Sequence, residues 1–142
     1  MILPFLALFF LLIDTCYAIF VKATIQYAVQ AGVNDAITFN GSGLLADVQN
    51  TVATQSLNLV GGTGSVGTLT ISFYAPPSRN NAGVSFVGSG NSVPGANQVG
   101  NIVQIDASYP FYPVAPLFRS HAVINFTASS ASVLAVFPPP SL

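Results

Sequence analysis

The chain has 142 residues, of which 5% are charged, three basic and four acidic, against about 25% in ordinary soluble domains. The length allows one domain with at most one appended segment, and the lack of a basic patch excludes nucleic-acid binding. Because few charges keep molecules apart, we expect the protein to work attached to a membrane or an assembly.

The first predicted element is a long helix that begins in an apolar run. Residues 1–21 contain one charge, Asp14, and match the roughly 20 apolar residues that a membrane-spanning helix needs. Residues 22–37 continue the helix as an amphipathic half, with a polar side chain at every fourth position from Lys22. The apolar stripe of this half is predicted to pack on a globular head and consists of Val21, Ile25, Val29 and Val33.

A cleaved signal peptide is the alternative interpretation of the apolar run. Cys16, Tyr17 and Ala18 form a loose small-residue cleavage site. Two features favour the membrane span: no basic residue precedes the run, and the helical pattern continues past the proposed cut. Cys16, the only cysteine, cannot form an intrachain disulfide.

The rest of the chain predicts a small α+β head, residues 22–142, with a second helix packed on an antiparallel sheet of three to four strands. The second helix is expected over 43–58, with Leu44, Val48 and Val52 on one face and a stop at Gly61 and Gly62. Strand-like alternation occurs at 68–74, 101–109 and 122–128, with a further short strand at 84–87. The prolines of 109–116 predict that this segment leaves the sheet.

No arrangement of residues predicts catalysis or a cofactor. The single histidine, His121, follows Ser120, but no acidic residue lies near it in sequence. One histidine and one cysteine do not make a zinc site. The glycine-rich stretch 61–68 lacks the lysine of a phosphate-binding loop. We therefore expect a protein that is not an enzyme and has no catalytic, cofactor-binding or metal-binding residues.

The order of these features resembles the TadE-like minor pseudopilins of the tight-adherence (Flp) pilus system. The similar parts are the apolar run with "LP" and a following acidic residue, the amphipathic helix, the stretch "IDASYPFYPVAPLF" and the closing strand "INFTASSASV". In the family the third of these is a strand that ends in Tyr-Pro-Phe before a Pro-Leu segment. The resemblance implies a single-pass protein of the bacterial inner membrane, with its head in the periplasm, that supports pilus assembly. It implies as partners other pilin or pseudopilin subunits, the inner-membrane assembly platform and the lipid bilayer.

The chain departs from that family at its N-terminus. Family members carry a basic leader, a glycine before the peptidase cut and a glutamate just inside the apolar run, whereas this chain shows none of these and contains no glutamate. We expect the DNA upstream of Met1 to decide whether such a leader is made. Lys22 follows the apolar run and by the positive-inside rule weakly favours a cytoplasmic head, against the periplasmic head that the resemblance implies.

Asp14 has two interpretations. It lies near the outer headgroups, where a carboxylate costs little, or it meets a polar group of a neighbouring subunit within the bilayer. The residues predicted as candidates for subunit contact are Asp14, Leu6, Phe10, Ile13 and Tyr17. Two alternative functions stay open beside the pseudopilin: a self-assembling extracellular filament subunit, and an exported soluble β-rich domain released from a signal peptide.

Overall fold

The computed structural model describes residues 2–38, 44–77, 83, 85–89, 98–113 and 123–135. It confirms the α+β prediction, with a long helix, a second helix and a four-stranded antiparallel sheet. The elements in chain order are α1 (Ile2–Thr38), α2 (Leu44–Gln55), β1 (Thr68–Ala75), β2 (Ser85–Ser89), β3 (Ile102–Phe111) and β4 (Ile124–Val133). His121 and Pro116 lie outside the described residues.

Helix α1 is continuous over 37 residues, which corresponds to about 55 Å at 1.5 Å per residue. Its threonine side chains do not interrupt it, because they bond to the helix itself. The hydroxyl of Thr15 donates to the carbonyl oxygen of Leu11 and that of Thr24 to the carbonyl oxygen of Phe20, both at 2.8 Å. Such bonds satisfy a hydroxyl within an apolar helix, so α1 runs without a break through Cys16–Ala18.

The C-terminal half of α1 is the spine of the head. Val21, Ile25, Val29 and Val33 are all buried in the hydrophobic core. The buried face also includes three small residues, Ala28, Gly32 and Ala36. At Gly32 a Cβ atom would lie 2.5 Å from a Val52 methyl and 3.3 Å from a methyl of Ile105. The missing side chain therefore lets α1, α2 and the sheet meet closely at this point.

The sheet has the strand order β2-β1-β3-β4, and α1 packs on β3 and β4. In the register, Ile71 of β1 lies opposite Ile105 of β3, and Phe73 lies opposite Val103. These four side chains are buried, as the predicted alternation of apolar residues along each strand requires. Helix α2 packs mainly on α1, and the hydroxyl of Thr51 donates to the carboxylate of Asp35 at 2.9 Å.

The end of α2 differs from the prediction. The helix stops at Gln55, and Leu57 and Asn58 turn the chain with φ angles of 54° and 62°. The Asn58 amide donates to the carbonyl oxygen of Ala53 at 2.7 Å, a bond that closes the C-terminal turn of a helix. The stop at Gly61 and Gly62 was therefore placed too late, because residues other than glycine adopt the left-handed conformation here.

The prediction that the chain leaves the sheet at residue 109 was wrong for Pro110. Strand β3 continues to Phe111 and pairs with β4 throughout, with Pro110 opposite Asn125. The pairing between β1 and β3 ends earlier, at Thr68 opposite Ser108. Among the described residues β4 is the only neighbour of β3 past that point, so Pro110 lies at an edge of the described sheet, where a missing N–H is tolerated.

Candidate functional site

The candidate site is the junction between α1 and the ends of β3 and β4 that extend beyond β1. We call these ends the arm and define it as residues 109–113 and 123–126. Its strands are paired in register, with Tyr109 opposite Phe126 and Phe111 opposite Ile124. Because β1 stops short, nothing in the described part of the chain pairs with the outer side of β3 in the arm. The arm therefore extends past β1 and lies alongside α1.

The arm contacts the apolar half of α1 through aromatic rings. The ring centroids of Tyr17 and Phe111 lie 5.6 Å apart with a 44° angle between the planes. Phe111 continues the contact to Phe126, with centroids 5.4 Å apart. Tilted aromatic pairs at such distances stabilise beyond their buried area, by about 0.5–1.5 kcal/mol each. These rings fix the arm against the helix.

Tyr109 joins this aromatic group through its hydroxyl. Burial raises the pKa of Tyr109 above its ordinary value of 10.0, and a hydrogen bond with Tyr17 and the proximity of that tyrosine raise it further. A smaller contribution to the raised pKa comes from the neighbouring Tyr112. The Tyr109 hydroxyl therefore stays neutral at physiological pH and links the arm to α1 by a polar contact as well as an apolar one.

Asp14 is the buried polar residue of this junction, with 7% of its surface exposed. It lies on the face of α1 that packs on the head, because Asp14, Ala18, Val21 and Ile25 follow one another at alternating spacings of four and three residues. Asp14 also makes a polar or electrostatic contact. The carboxylate is therefore shielded by the protein's own fold.

A cleft of about 270 Å³ opens where the arm meets α1. Almost all of its wall is apolar, and Asp14 and Thr15 contribute the polar side chains. Its lining residues are Leu11, Asp14, Thr15, Ala18, Phe111, Pro113 and Ile124. The part of α1 that packs on the head consequently begins at Leu11. The head was expected to begin later in the chain, at residue 22.

The other predicted subunit-contact residues face outward. Leu6, Phe10 and Ile13 are exposed, and their spacing places them on one side of α1 together with Tyr17. Tyr17 is 45% exposed and also touches Phe111. The structure thus separates the predicted set into an inward residue, Asp14, a residue at the edge of the arm, Tyr17, and an exposed stripe of Leu6, Phe10 and Ile13.

Sequence reasoning missed the arm residues Phe111, Pro113 and Ile124 as part of this junction. The run of aromatic residues and prolines from Tyr109 to Pro113 was a signal, but it indicated only where the strand ends. Among the described residues no group of three histidine, cysteine, aspartate or glutamate side chains is placed to hold a metal ion. The chemistry of the junction is that of contact between apolar surfaces.

No protein-family model matches the chain, and no curated protein or solved structure matches it. Helix α1 is long and apolar enough to cross a membrane. A cleavable signal sequence meets the same test of length and composition. Function has therefore to be inferred from the chain's own architecture.

Proposed function

We propose that the protein is a membrane-anchored, pilin-like subunit, a pseudopilin, that supports assembly of an Flp-type pilus, with its head in the periplasm. The observation that carries the proposal is the division of α1: one unbroken helix is exposed and apolar in its first half and is the spine of an α+β head in its second. This is the architecture that the resemblance to TadE-like pseudopilins leads us to expect.

The arm favours an uncleaved anchor over a signal peptide. A cut after Ala18 would remove Leu11, Asp14 and Thr15 from the wall of the cleft and would take away the ring of Tyr17 that contacts Phe111. Phe111, now buried, would then be uncovered. Burying a large apolar side chain stabilises by about 1.5–3 kcal/mol, so the released head would be less stable than the intact chain.

The exposed stripe of Leu6, Phe10 and Ile13 is the surface proposed to meet other pilin subunits or the assembly platform. It carries no charge, and in lipid apolar helices associate through close packing of their surfaces rather than through the hydrophobic effect. Asp14 is left out of this surface because the protein's own fold shields it.

The test compares two faces of α1 in cells that make Flp-type pili and lack their own copy of the protein. One variant replaces the stripe by alanine at Leu6, Phe10 and Ile13. The matched control replaces three equally apolar, exposed residues of the opposite face, Leu8, Leu12 and Ile19. Both variants lose similar apolar volume from the anchor, so they should reach the membrane at equal levels.

We expect the wild-type chain and the control variant to restore pili and to co-purify with partner pilins. The stripe variant should do neither, because its contact surface lacks the large side chains that pack between helices. Piliation restored equally by both variants, at equal abundance in the membrane, would refute the contact surface. A cell whose pili do not depend on the protein at all would refute the function.

The self-assembling filament subunit is the second candidate, and the exposed apolar half of α1 favours it as well. Large hydrophobic residues are exposed along the whole of this half, among them Leu3, Phe5 and Phe20. Copies could bury that surface against one another in a filament. Electron microscopy of the purified protein in detergent-free buffer separates the two candidates, because only the second predicts filaments without partner proteins.

A further inference from the structure

The apolar surface of α1 does not end where the head begins. It continues onto the arm, where Tyr112, Val123 and Ile124 are exposed by 62%, 49% and 44%. No charged residue occurs in residues 109–113 or 123–126. An exposed apolar surface marks a site of contact with lipid or with another protein. Because this surface adjoins a helix that is proposed to enter the membrane, lipid is the expected contact.

The geometry of α1 brings the arm to the bilayer. The contacts of the arm with α1 lie within the apolar run of residues 1–21, the part of the helix that is proposed to enter the membrane. Helix residues between Leu11 and Ala18 line the cleft together with the arm, and Tyr17 touches Phe111. This part of α1 can therefore enter the bilayer only together with the arm.

The backbone of the arm sets the limit to that insertion. In the part of the chain that the structure describes, strands β3 and β4 form a two-stranded ribbon here, and unpaired N–H and C=O groups at open edges are not tolerated in hydrocarbon. The headgroup region supplies water and polar partners for them. Tyrosine prefers that level because its ring is apolar and its hydroxyl polar, and Tyr17, Tyr109 and Tyr112 all belong to this junction.

We infer that the arm is a lipid-contact element that rests in the headgroup region of the bilayer, with Tyr112, Val123 and Ile124 against the lipid and the membrane surface at the level of Asp14 and Tyr17. This inference rests on the proposed membrane anchoring and adds a second point of contact to it. It places Asp14 near the headgroups, where a carboxylate avoids most of the cost of the hydrocarbon centre.

The test uses tryptophan fluorescence, for which the chain is suited because it contains no native tryptophan. Three single-tryptophan variants of the full chain replace exposed aromatic residues: Tyr112→Trp in the arm, Phe9→Trp in the apolar half of α1, and Phe86→Trp in β2 at the far edge of the sheet. Each is reconstituted in phosphatidylcholine vesicles. The vesicle lipids carry bromine, a quencher, either close to the headgroup or deep in the acyl chains.

We expect Phe9→Trp to lose most of its fluorescence with deep bromine, and Tyr112→Trp to lose most of its fluorescence with shallow bromine. Phe86→Trp should be as bright as in vesicles without bromine. Val123→Trp repeats the arm measurement from β4, so a folding defect in one variant does not prevent the test. Far-ultraviolet circular dichroism shows that each variant keeps its secondary structure.

Three results would overturn the inference, each for a different reason. If Phe9→Trp is quenched and both arm variants stay as bright as Phe86→Trp, the anchor is in the bilayer and the arm is not, so the proposed anchoring survives. If Phe9→Trp is not quenched either, the membrane anchoring itself fails. Equal quenching of all four variants would show that the head enters lipid as a whole, which also contradicts a contact confined to the arm.

Discussion

Asp14 has apolar neighbours along the chain but lies at a packed junction in space. A carboxylate at the centre of the hydrocarbon costs about 2.5–3.5 kcal/mol on insertion scales, and part of that cost disappears when the group has a polar or electrostatic partner, as Asp14 does. The arm covers Asp14 on the side that faces the cleft. The residue therefore marks where α1 passes from a free apolar helix to one that packs on protein.

Tyr109 gives this junction a measurable pH dependence. Its pKa is raised in the folded protein, so the unfolded chain releases the proton first as the pH rises. The stability that the neutral hydroxyl contributes is complete below about pH 10 and is lost as the pH rises through the folded pKa. We expect Tyr109→Phe to show a smaller fall in melting temperature between about pH 9 and pH 11 than the wild type, measured by circular dichroism.

The same substitution should cost about 0.5–1.5 kcal/mol at neutral pH, because it removes a hydrogen bond. Tyr112→Phe is the control, since it deletes an exposed hydroxyl from the same arm. That variant should keep most of the alkaline fall of the wild type, because Tyr112 makes only the smallest contribution to the raised pKa of Tyr109. An identical fall in all three proteins would show that the Tyr109 hydroxyl does not distinguish the folded from the unfolded state.

At the scale of elements, the packing of α1 depends on residues of two kinds. Large apolar residues fill the core, and Ala28, Gly32 and Ala36 make room for α2 and the sheet. The predicted stripe follows a four-residue spacing, which drifts around a helix of 3.6 residues per turn. It therefore crosses the buried face at an angle and omits the small residues that lie next to it.

The face assignment predicts unequal effects of two neighbouring substitutions in α1. Val29→Asp should unfold the head, because Val29 is 1% exposed and the change removes about 1.5–3 kcal/mol of burial while burying a carboxylate. Gln30→Asp introduces the same side chain on the exposed side of the helix and should change stability by no more than about 0.5 kcal/mol. Thermal denaturation followed by circular dichroism compares them, and equal melting temperatures would refute the face assignment.

Strand β4 is longer than the alternation of its own apolar residues predicts, because it pairs with β3 along its length. The alternation of apolar residues predicted that this strand ends at residue 128, whereas the resemblance implied a closing strand "INFTASSASV" that runs to Val133. In the structure β4 continues to Val133, with Ser129, Ser130 and Ala131 opposite Asp106, Ile105 and Gln104 of β3. The backbone bonds of a paired neighbour hold these residues in the sheet, whatever their own preference.

At the scale of the whole molecule, one helix joins two different surfaces. The first half of α1 is exposed and apolar, and the head that follows has few charges and a surface rich in serine, threonine and asparagine. Such a molecule has little charge repulsion to keep it dispersed in water. We expect an exposed apolar surface of this extent to be covered by lipid or by other subunits.

We therefore expect the full chain to stay in the inner-membrane fraction and to resist extraction by alkaline carbonate, which releases proteins bound only at the surface. Burial of the exposed apolar residues of α1 in lipid, at about 25 cal/mol per Å², is the reason. Immunoblotting of the fractions, with N-terminal sequencing of the recovered protein, makes the measurement. A soluble form that begins at Ile19 would contradict it and restore the signal-peptide interpretation.

The sequence by itself determined the features that depend on short-range periodicity. The apolar run, the helical spacing of Val21 to Val33, the apolar face of α2 and the alternation in β1 and β3 are all visible within a few turns or a few residues of chain. A helix or strand must place its apolar residues on one face to bury them. The α+β fold could therefore be predicted, and so could most element positions.

Only the tertiary structure decided the junction on which the functional proposals depend. The shielding of Asp14, the place of Pro110 in a strand and the role of Gly32 each depend on residues that are distant in the sequence: the ends of β3 and β4, the early end of β1, and Val52 with Ile105. A single sequence carries no signal for which distant segments touch. Those contacts follow from how the sheet and the helices pack, and that packing makes the apolar surface of α1 continuous with the arm.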